Sequence, residues 1–315
     1  FMDKILPTLE IVLPLFLIIL LGYILRQVKL LPESFAHQSS RLLFFVILPL
    51  VFVEDLWKAD LSQGYPLGLF LSLLLGLTVA GLVAWLLSKL MQVQPHLVPS
   101  FVHSSIRSNF FYVGYSLLRM MFSDLPSTVS ISFLVIMTLF NISISIIYPR
   151  KEKSQNPAKQ AWSILKAILT NPLNMGLMLG LLLNLLKIPQ PKLAQSTLSM
   201  VTAMSSPLAL LSIGVAFNLQ VQKSYLKLAL VSAAVKLIAA PLIGMGIGML
   251  FGLSSQELLI IFIIFGTPTA LNTFAIDREM GKGEDFVATA ILISTILSML
   301  TLTLFVFAFL NLGQL

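Results

Sequence analysis

One stretch of the chain reads Leu97-Val-Pro-Ser-Phe-Val-His-Ser-Ser-Ile-Arg-Ser-Asn-Phe-Phe-Tyr-Val-Gly-Tyr115. It has the length of a helix that crosses a membrane, yet its centre is polar. Arg107 lies near the middle, and a lone arginine at the centre of a bilayer costs at least ~2.5–3.5 kcal/mol to insert. Arg107 must therefore face water, an acidic partner or an anionic ligand.

A second polar stretch, Gly266-Thr-Pro-Thr-Ala-Leu-Asn-Thr273, interrupts an apolar segment further along the chain. Pro268 lacks a backbone N–H group, so it cannot continue the hydrogen bonds of a helix. Irregular backbone is tolerated at membrane depth where it is buried in protein or lines a cavity. Two interpretations of Pro268 stand: a kink in a continuous helix, or a functional break.

The composition of the whole chain is that of an integral membrane protein. Of the 315 residues, 57% are hydrophobic and 10% are charged, whereas a soluble domain carries about 25% charged residues. Runs of about 20 apolar residues, the length that spans a bilayer, recur from end to end. We predict an all-α membrane protein with ten transmembrane helices, at residues 7–29, 35–56, 64–90, 97–122, 128–148, 161–187, 193–218, 225–251, 257–276 and 286–311.

The positive charges of the loops predict the orientation of the chain. Lysine and arginine are concentrated in the loops that follow the odd-numbered spans, and fewer lie in the loops after the even-numbered spans. Since positive residues accumulate in cytoplasmic loops, we predict that both termini lie outside the cell. The net charge of +7 therefore reflects membrane orientation, and no nucleic acid partner is expected.

The second half of the chain repeats the first. A shift of 158 residues aligns proline, glycine and lysine residues without gaps, in the pairs Pro14/Pro172, Gly22/Gly180, Lys29/Lys187 and Pro49/Pro207. Equivalent helices are then five spans apart, so the second copy crosses the membrane in the opposite sense, a construction common among secondary transporters. We predict two inverted five-helix halves, residues 1–160 and 161–315, with the polar stretch 150–160 closing the first. Chance similarity between leucine-rich segments is the alternative.

The two interrupted spans, the fourth and the ninth, occupy equivalent positions in the halves and predict an anion site. A half-helix that begins after a break presents free N–H groups and the positive end of its dipole. The Arg107 guanidinium matches the geometry of a carboxylate. The alternative for Arg107 is an ion pair with Asp277 or Glu257. We predict a small carboxylate bound by Arg107, Ser108, Asn109, Phe110, Gly266, Thr267, Pro268 and Asn272.

Three further polar residues are candidates for coupling transport to an ion. His103 is four residues before Arg107, hence on the same helical face, and can carry a proton. Lys236 lies near the centre of the eighth span, and Asp277 follows the ninth. Each also has a structural interpretation, as a satisfied polar group or a partner of another buried charge. Small hydroxyl residues at helical spacing in the tenth span predict close helix packing: Ser294, Ser298 and Thr301.

Several classes of function lack their motifs. The sequence has no phosphate-binding Gly-Lys-Ser/Thr loop and no His-Glu-x-x-His, and it has no cysteine. His37, His96 and His103 lie on different segments, without the spacing of a metal site. We therefore expect neither an enzyme nor a protein that holds a metal ion or cofactor.

The chain resembles the auxin efflux carrier family, whose bacterial members include malate and malonate carriers. Four segments match in order and spacing: residues 22–49, 107–114, 171–214 and 266–295. Where plant carriers of the family have a proline directly after the fourth-helix asparagine, this chain has Phe110 after Asn109. The short stretch between the halves resembles the bacterial members more than the plant carriers with long loops.

The resemblance implies a secondary transporter of a small organic anion in the bacterial inner membrane. Spans one, two, six and seven would form a scaffold, and spans three to five and eight to ten a transport domain. Helices four and nine would break and cross in the transport domain, which moves in the manner of an elevator. A homodimer through spans two and seven is also implied. An anion channel and a transporter-like ligand sensor are the alternative functions.

Overall fold

The computed structural model describes residues 2–62, 64–122, 125–148, 162, 166, 169–217 and 221–311, and the described chain is almost entirely helical. Proline lies in the first turn of many helices or just before it, where its fixed φ angle suits a helix start. The helices are α1 (Met2–Gln27), α2 (Glu33–Leu42), α3 (Leu48–Trp57), α4 (Leu67–Leu90), α5 (Val98–Ile106), α6 (Tyr115–Met121), α7 (Ser127–Ile147), α8 (Pro172–Leu185), α9 (Lys192–Thr202), α10 (Ser205–Ala216), α11 (Leu226–Ala234), α12 (Ala240–Leu250), α13 (Ser255–Gly266), α14 (Asn272–Glu279) and α15 (Glu284–Asn311). Single π-helical turns at Leu43–Ile47, Phe110–Gly114 and Val235–Ala239 lead into α3, α6 and α12.

Within the described residues, six helical stretches are long and apolar enough to cross a membrane by length and composition: Lys4–Gln27, Leu67–Leu90, Ser127–Ile144, Lys192–Ala216, Lys223–Leu250 and Glu284–Asn311. The predicted fourth and ninth spans are interrupted helices. The start of the predicted sixth span and the polar stretch 150–160 lie outside the described residues. The chain is therefore a helical protein with several apolar spans, and the count of ten in two inverted halves stays a prediction.

The chain divides into two compact units. The first consists of Phe1–Leu17, Pro66–Met121 and Phe217–Leu315, and the second of Ile18–Tyr65 and Phe122–Ala216. The first unit contains both interrupted spans, and the second contains α7. The assignment of spans to a scaffold and a transport domain stays a prediction.

Inside the second unit, two segments that are 158 residues apart have the same local structure. Lys29 and Lys187 both have a left-handed backbone, with φ angles of 60° and 52°, a conformation that usually belongs to glycine at a helix end. The N–H of Lys29 donates to the backbone carbonyl oxygen of Arg26, and the N–H of Lys187 donates to that of Asn184, each over 2.9 Å. This agreement supports the repeat that the proline, glycine and lysine pairs predict.

The side chains of Arg26 and Asn184 extend the correspondence. Arg26 Nη1 donates to the carbonyl oxygen of Val215 at the end of α10, over 3.0 Å. Asn184 Nδ2 lies within hydrogen-bond distance of three carbonyl oxygens at and just after the end of α3, those of Leu56, Trp57 and Ala59, over 2.9, 3.0 and 2.8 Å. Val215 and Trp57 are themselves 158 residues apart in the sequence. Both side chains supply donors to carbonyl groups that a helix end leaves without an intrahelical partner.

Glycine allows the close approach of α8 and α3 within the second unit. A Cβ atom added at Gly176 would lie 2.6 Å from the Cα atom of Pro49 and would collide with its carbonyl oxygen. Small residues of this kind let two backbones pack against each other in membrane proteins. The contact therefore depends on the missing side chain.

We expect Gly176→Ala to destabilise the protein, because the added methyl group forces α8 and α3 apart. Overpacking of this kind costs about 1–3 kcal/mol. The matched control is Gly81→Ala in α4, where no atom lies within 4 Å of the added Cβ; alanine there also favours the helix. Thermal unfolding of the two variants in detergent should show a lower melting temperature for Gly176→Ala alone. Equal melting temperatures would contradict the close contact.

Candidate functional site

The predicted fourth span is broken at residues 107–109. Helix α5 ends at Ile106, and Arg107 has an extended backbone with a ψ angle of 115°. The chain resumes its helical course in the π-helical turn Phe110–Gly114. The phenylalanine that follows Asn109 is compatible with a break, and the Phe110 side chain is buried.

The predicted ninth span is broken at residues 267–271. Helix α13 ends at Gly266, Thr267 has an extended backbone with a ψ angle of 155°, and α14 begins at Asn272. Pro268 lies inside this segment and donates no backbone hydrogen bond. The segment is therefore a break between two half-helices, and it is longer than a kink at one proline.

The two breaks pair with each other inside the first unit. Ser108 and Thr269 form an antiparallel backbone bridge. The N–H of Asn109 donates to the carbonyl oxygen of Pro268 over 2.8 Å, and the N–H of Ala270 donates to that of Arg107 over 3.2 Å. Each break thus supplies hydrogen-bond partners for the other, as buried backbone requires.

Contacts with two helices, one through a side chain and one through a backbone carbonyl group, hold the second break in place. The Ser294 hydroxyl on α15 accepts a hydrogen bond from the N–H of Thr269 over 3.1 Å, and the Thr269 hydroxyl donates to the carbonyl oxygen of Ser104 on α5 over 2.9 Å. Sequence reasoning missed this role of Thr269 and assigned Ser294 to packing. The available signal was the position of Thr269 next to Pro268.

Lys236 lies beside the end of α13. Its side chain is fully buried in the π-helical turn Val235–Ala239, and its ammonium group donates to the carbonyl oxygen of Phe265. A cation is favourable at the C-terminal end of a helix, where the dipole is negative. Lys236 therefore stabilises the helix end that precedes the second break.

Arg107 is buried, with 6% of its surface exposed, and lies among polar groups at the paired breaks. Four hydroxyl groups near the breaks are buried and have no hydrogen-bond partner among the residues that the structure describes: Ser104, Ser108, Thr267 and Thr273. Buried hydroxyls normally have a partner. Such a group of hydroxyls can donate to a ligand.

The other predicted ligand residues lie in different environments. Asn109 is buried and lies with Ser108 in the first break, next to Pro268 of the second. Gly266 is packed against the Phe262 ring, which a Cβ atom would approach to 2.8 Å. Asn272 is exposed in the first turn of α14. The structure thus brings together residues 107–109 and 267–269, and places Asn272 at their edge.

Asp277 and Glu257, the two acids considered above as ion-pair partners of Arg107, have defined contacts. Asp277 is fully buried; its carboxylate accepts a hydrogen bond from the Ser100 hydroxyl and lies 3.9 Å from His103 Nδ1. Glu257 accepts hydrogen bonds from the N–H and hydroxyl of Ser254, each over 2.7 Å, and so caps the start of α13. The described residues contain no group of three or more acidic, histidine or cysteine side chains placed to hold a metal ion.

We expect Ser294→Ala to destabilise the paired breaks, because the buried N–H of Thr269 loses its acceptor. An unsatisfied buried donor costs about 1–3 kcal/mol. The control is Ser298→Ala on the same helix: Ser298 is equally buried and donates to the carbonyl oxygen of Thr295, within its own helix, over 2.7 Å. In thermal unfolding in detergent, the melting temperature of Ser294→Ala should be lower than that of Ser298→Ala. A Ser294→Ala protein as stable as Ser298→Ala would show that the contact is dispensable.

Known proteins resemble this chain over almost its whole length. A family model described as membrane transport protein matches residues 7–306. A relative from Methanothermobacter thermautotrophicus (strain Delta H), described as an uncharacterized transporter, is 24% identical over 297 residues, which is 94% of this chain and 96% of the relative. The resemblance stated from the four sequence segments is confirmed. The chain therefore belongs to the membrane transport protein family, which is the auxin efflux carrier family, and is a multi-pass membrane transporter.

Proposed function

We propose that the chain is a secondary transporter of a small organic anion, a carboxylate, which binds where the two breaks pair. One observation carries the proposal. The buried Arg107 lies in a break among buried hydroxyl groups that have no partner in the described part of the chain. A carboxylate accepts hydrogen bonds from hydroxyls and forms charge-assisted ones with a guanidinium.

The buried charges of the first unit favour a negative ligand. Among its described residues, two cations are buried, Arg107 and Lys236, against one acid, Asp277. With His103 neutral, one positive charge is in excess. A bound monovalent anion brings the sum of these buried charges to zero, which favours its binding at membrane depth.

The half-helices that follow the breaks favour the same ligand. In the described structure, no side chain caps the N-terminus of the segment that begins at Phe110 or of α14, which begins at Asn272. Such ends carry the positive pole of the helix dipole. In transporters with broken helices, they point at anionic groups of the substrate.

The wider arrangement in the proposal follows the family resemblance. We propose ten spans in two inverted halves with both termini outside, in a bacterial inner membrane. The unit that contains the breaks would carry the anion across in the manner of an elevator, and two copies would associate through spans two and seven. The equal local structure at Lys29 and Lys187 supports the repeat within this arrangement.

We expect Arg107→Gln to weaken anion binding at least about 30-fold, since removal of one partner from a buried charge interaction costs about 2–5 kcal/mol. Arg107→Lys keeps the charge and loses the planar fork, so an intermediate loss is expected. Proteoliposomes on a solid-supported membrane would be given jumps of lactate, malonate, malate and indole-3-acetate. The wild type should show a saturable current for at least one of them.

The control for this experiment is Arg119→Gln, which removes an arginine of α6 whose Nε donates to the Tyr115 hydroxyl over 2.9 Å. Arg119→Gln should bind the anion as the wild type does. Electroneutral exchange would be measured by counterflow of labelled anion. Unchanged affinity in a folded Arg107→Gln protein would contradict the site. Flux that never saturates would indicate a channel, and binding without counterflow would indicate a sensor.

A further inference from the structure

We propose that His103 and Asp277 form a proton-binding site, and that the bound proton is transported together with the anion. This inference rests on the proposed function and names the ion that drives it. The pair lies inside the first unit, and His103 is one helical turn from Arg107. Its two members come from the two interrupted spans, His103 from α5 and Asp277 from α14.

The geometry of the pair is fixed by its neighbours. His103 is 1% exposed and Asp277 is fully buried, and His103 Nδ1 lies 3.9 Å from Asp277 Oδ2. The other carboxylate oxygen, Oδ1, accepts hydrogen bonds from the Ser100 hydroxyl and from the N–H of Gly283 over 3.3 Å. These donors orient the carboxylate, so that Oδ2 faces the imidazole.

The pair can take up one proton without a change of fold. Without the proton, a neutral imidazole faces a carboxylate and the pair has a charge of −1. With the proton on the imidazole, imidazolium and carboxylate compensate each other and the charge is zero. Histidine changes charge between about pH 5 and pH 8, and histidine–carboxylate groups inside membranes serve as proton relays in pumps and transporters.

Proton binding and anion binding favour each other. His103 and Arg107 are four residues apart, hence on the same face at the end of α5. A proton on His103 adds positive charge one turn from the anion, and the attraction is strong because the region is buried. The coupling is reciprocal, and coupling between two sites typically changes each affinity by about 5–150-fold.

Among the charged groups of the elements around the pair, His103 is the titratable side chain that lies next to Asp277. The buried cations of the elements packed against α5 are Arg107 and Lys236, and the Lys236 ammonium donates to the Phe265 carbonyl. The remaining charged groups of these elements are exposed: Lys89, Lys227, Arg278, Glu279, Glu284 and Asp285.

The pair lies next to the loop that joins α14 to α15. The N–H of Gly283 in this loop contacts both the Ser100 hydroxyl, over 3.2 Å, and Asp277. Gly281 and Lys282 are exposed. Asp277 therefore contacts a loop whose neighbouring residues are exposed, and Arg107 lies one turn further along the chain from His103.

The first test measures the accumulation of labelled malonate inside proteoliposomes. Potassium and valinomycin hold the membrane potential at zero. A pH gradient of about one unit, acidic outside, should support about tenfold accumulation through one-to-one coupling. His103→Gln and Asp277→Asn should lose the accumulation, while counterflow at equal pH and saturating malonate shows that the variants still carry the anion. His96→Gln, which replaces an exposed histidine just before α5, is the matched control and should accumulate as the wild type does.

The second test follows protonation directly and needs no substrate. The chain has three histidines, so solid-state NMR of histidine-labelled protein in liposomes gives three sets of signals, and His103→Gln identifies one. The His103 signal should titrate, and its titration should change in Asp277→Asn while those of His37 and His96 stay the same. The proposal would be overturned if the His103 signal showed one protonation state at every pH and did not change in Asp277→Asn.

The outcomes separate the two proposals. Counterflow of malonate without any response to the pH gradient would overturn the proton site and leave the anion carrier intact. Accumulation that survives in both His103→Gln and Asp277→Asn would overturn the site as well. Absence of counterflow for every anion of the panel would overturn the carrier, and the NMR titration would then decide the proton site alone.

Discussion

A backbone that leaves its helix inside a membrane must find hydrogen-bond partners within the protein, because the bilayer core offers none. Here the two breaks satisfy each other: Asn109 donates to Pro268, and Ala270 donates to Arg107. Neither break could exist alone without orphaned amide and carbonyl groups. The position of Arg107 follows from this pairing, since its own carbonyl oxygen accepts one of the shared hydrogen bonds.

The same constraint explains why polar side chains gather in the first unit. The pairing of the breaks does not satisfy every backbone group. The N–H of Thr269 donates to the Ser294 hydroxyl, and the carbonyl oxygen of Phe265 accepts from the Lys236 ammonium. The C-terminal end of α13 thus has a cation, whereas the N-termini after the breaks have no side-chain cap in the described structure. The protein supplies its own positive charge where α13 ends, and in the proposed function a bound anion supplies negative charge where the next half-helices begin.

Much of this arrangement could be predicted from the sequence, because single residues report it. A central arginine cannot face lipid, so a polar environment was predicted for the fourth span, and its break followed from the family resemblance. At Pro268 the sequence predicted either a kink or a break, and the structure shows a break. The partner of Lys236 could not be predicted, because it is a backbone carbonyl and every residue carries one. The contact between Ser294 and Thr269 joins two helices, and helical periodicity shows the face of a hydroxyl without showing which amide it meets. The exposure of Asn272 depends on the rotation of the short helix α14, which no pattern in eight residues determines.

The matching helix caps in the second unit have one more consequence. Arg26 and Asn184 occupy equivalent positions and each donates to the end of a neighbouring helix, yet one is charged and the other is neutral. In an inverted repeat, equivalent positions face opposite sides of the bilayer, and positive residues hold loops on the cytoplasmic side during insertion. Both side chains stabilise a helix end in the folded protein, but only Arg26 carries a charge that can act during membrane insertion. Under the proposed inverted arrangement, a difference of this kind lets two similar halves fold alike while they enter the membrane in opposite directions.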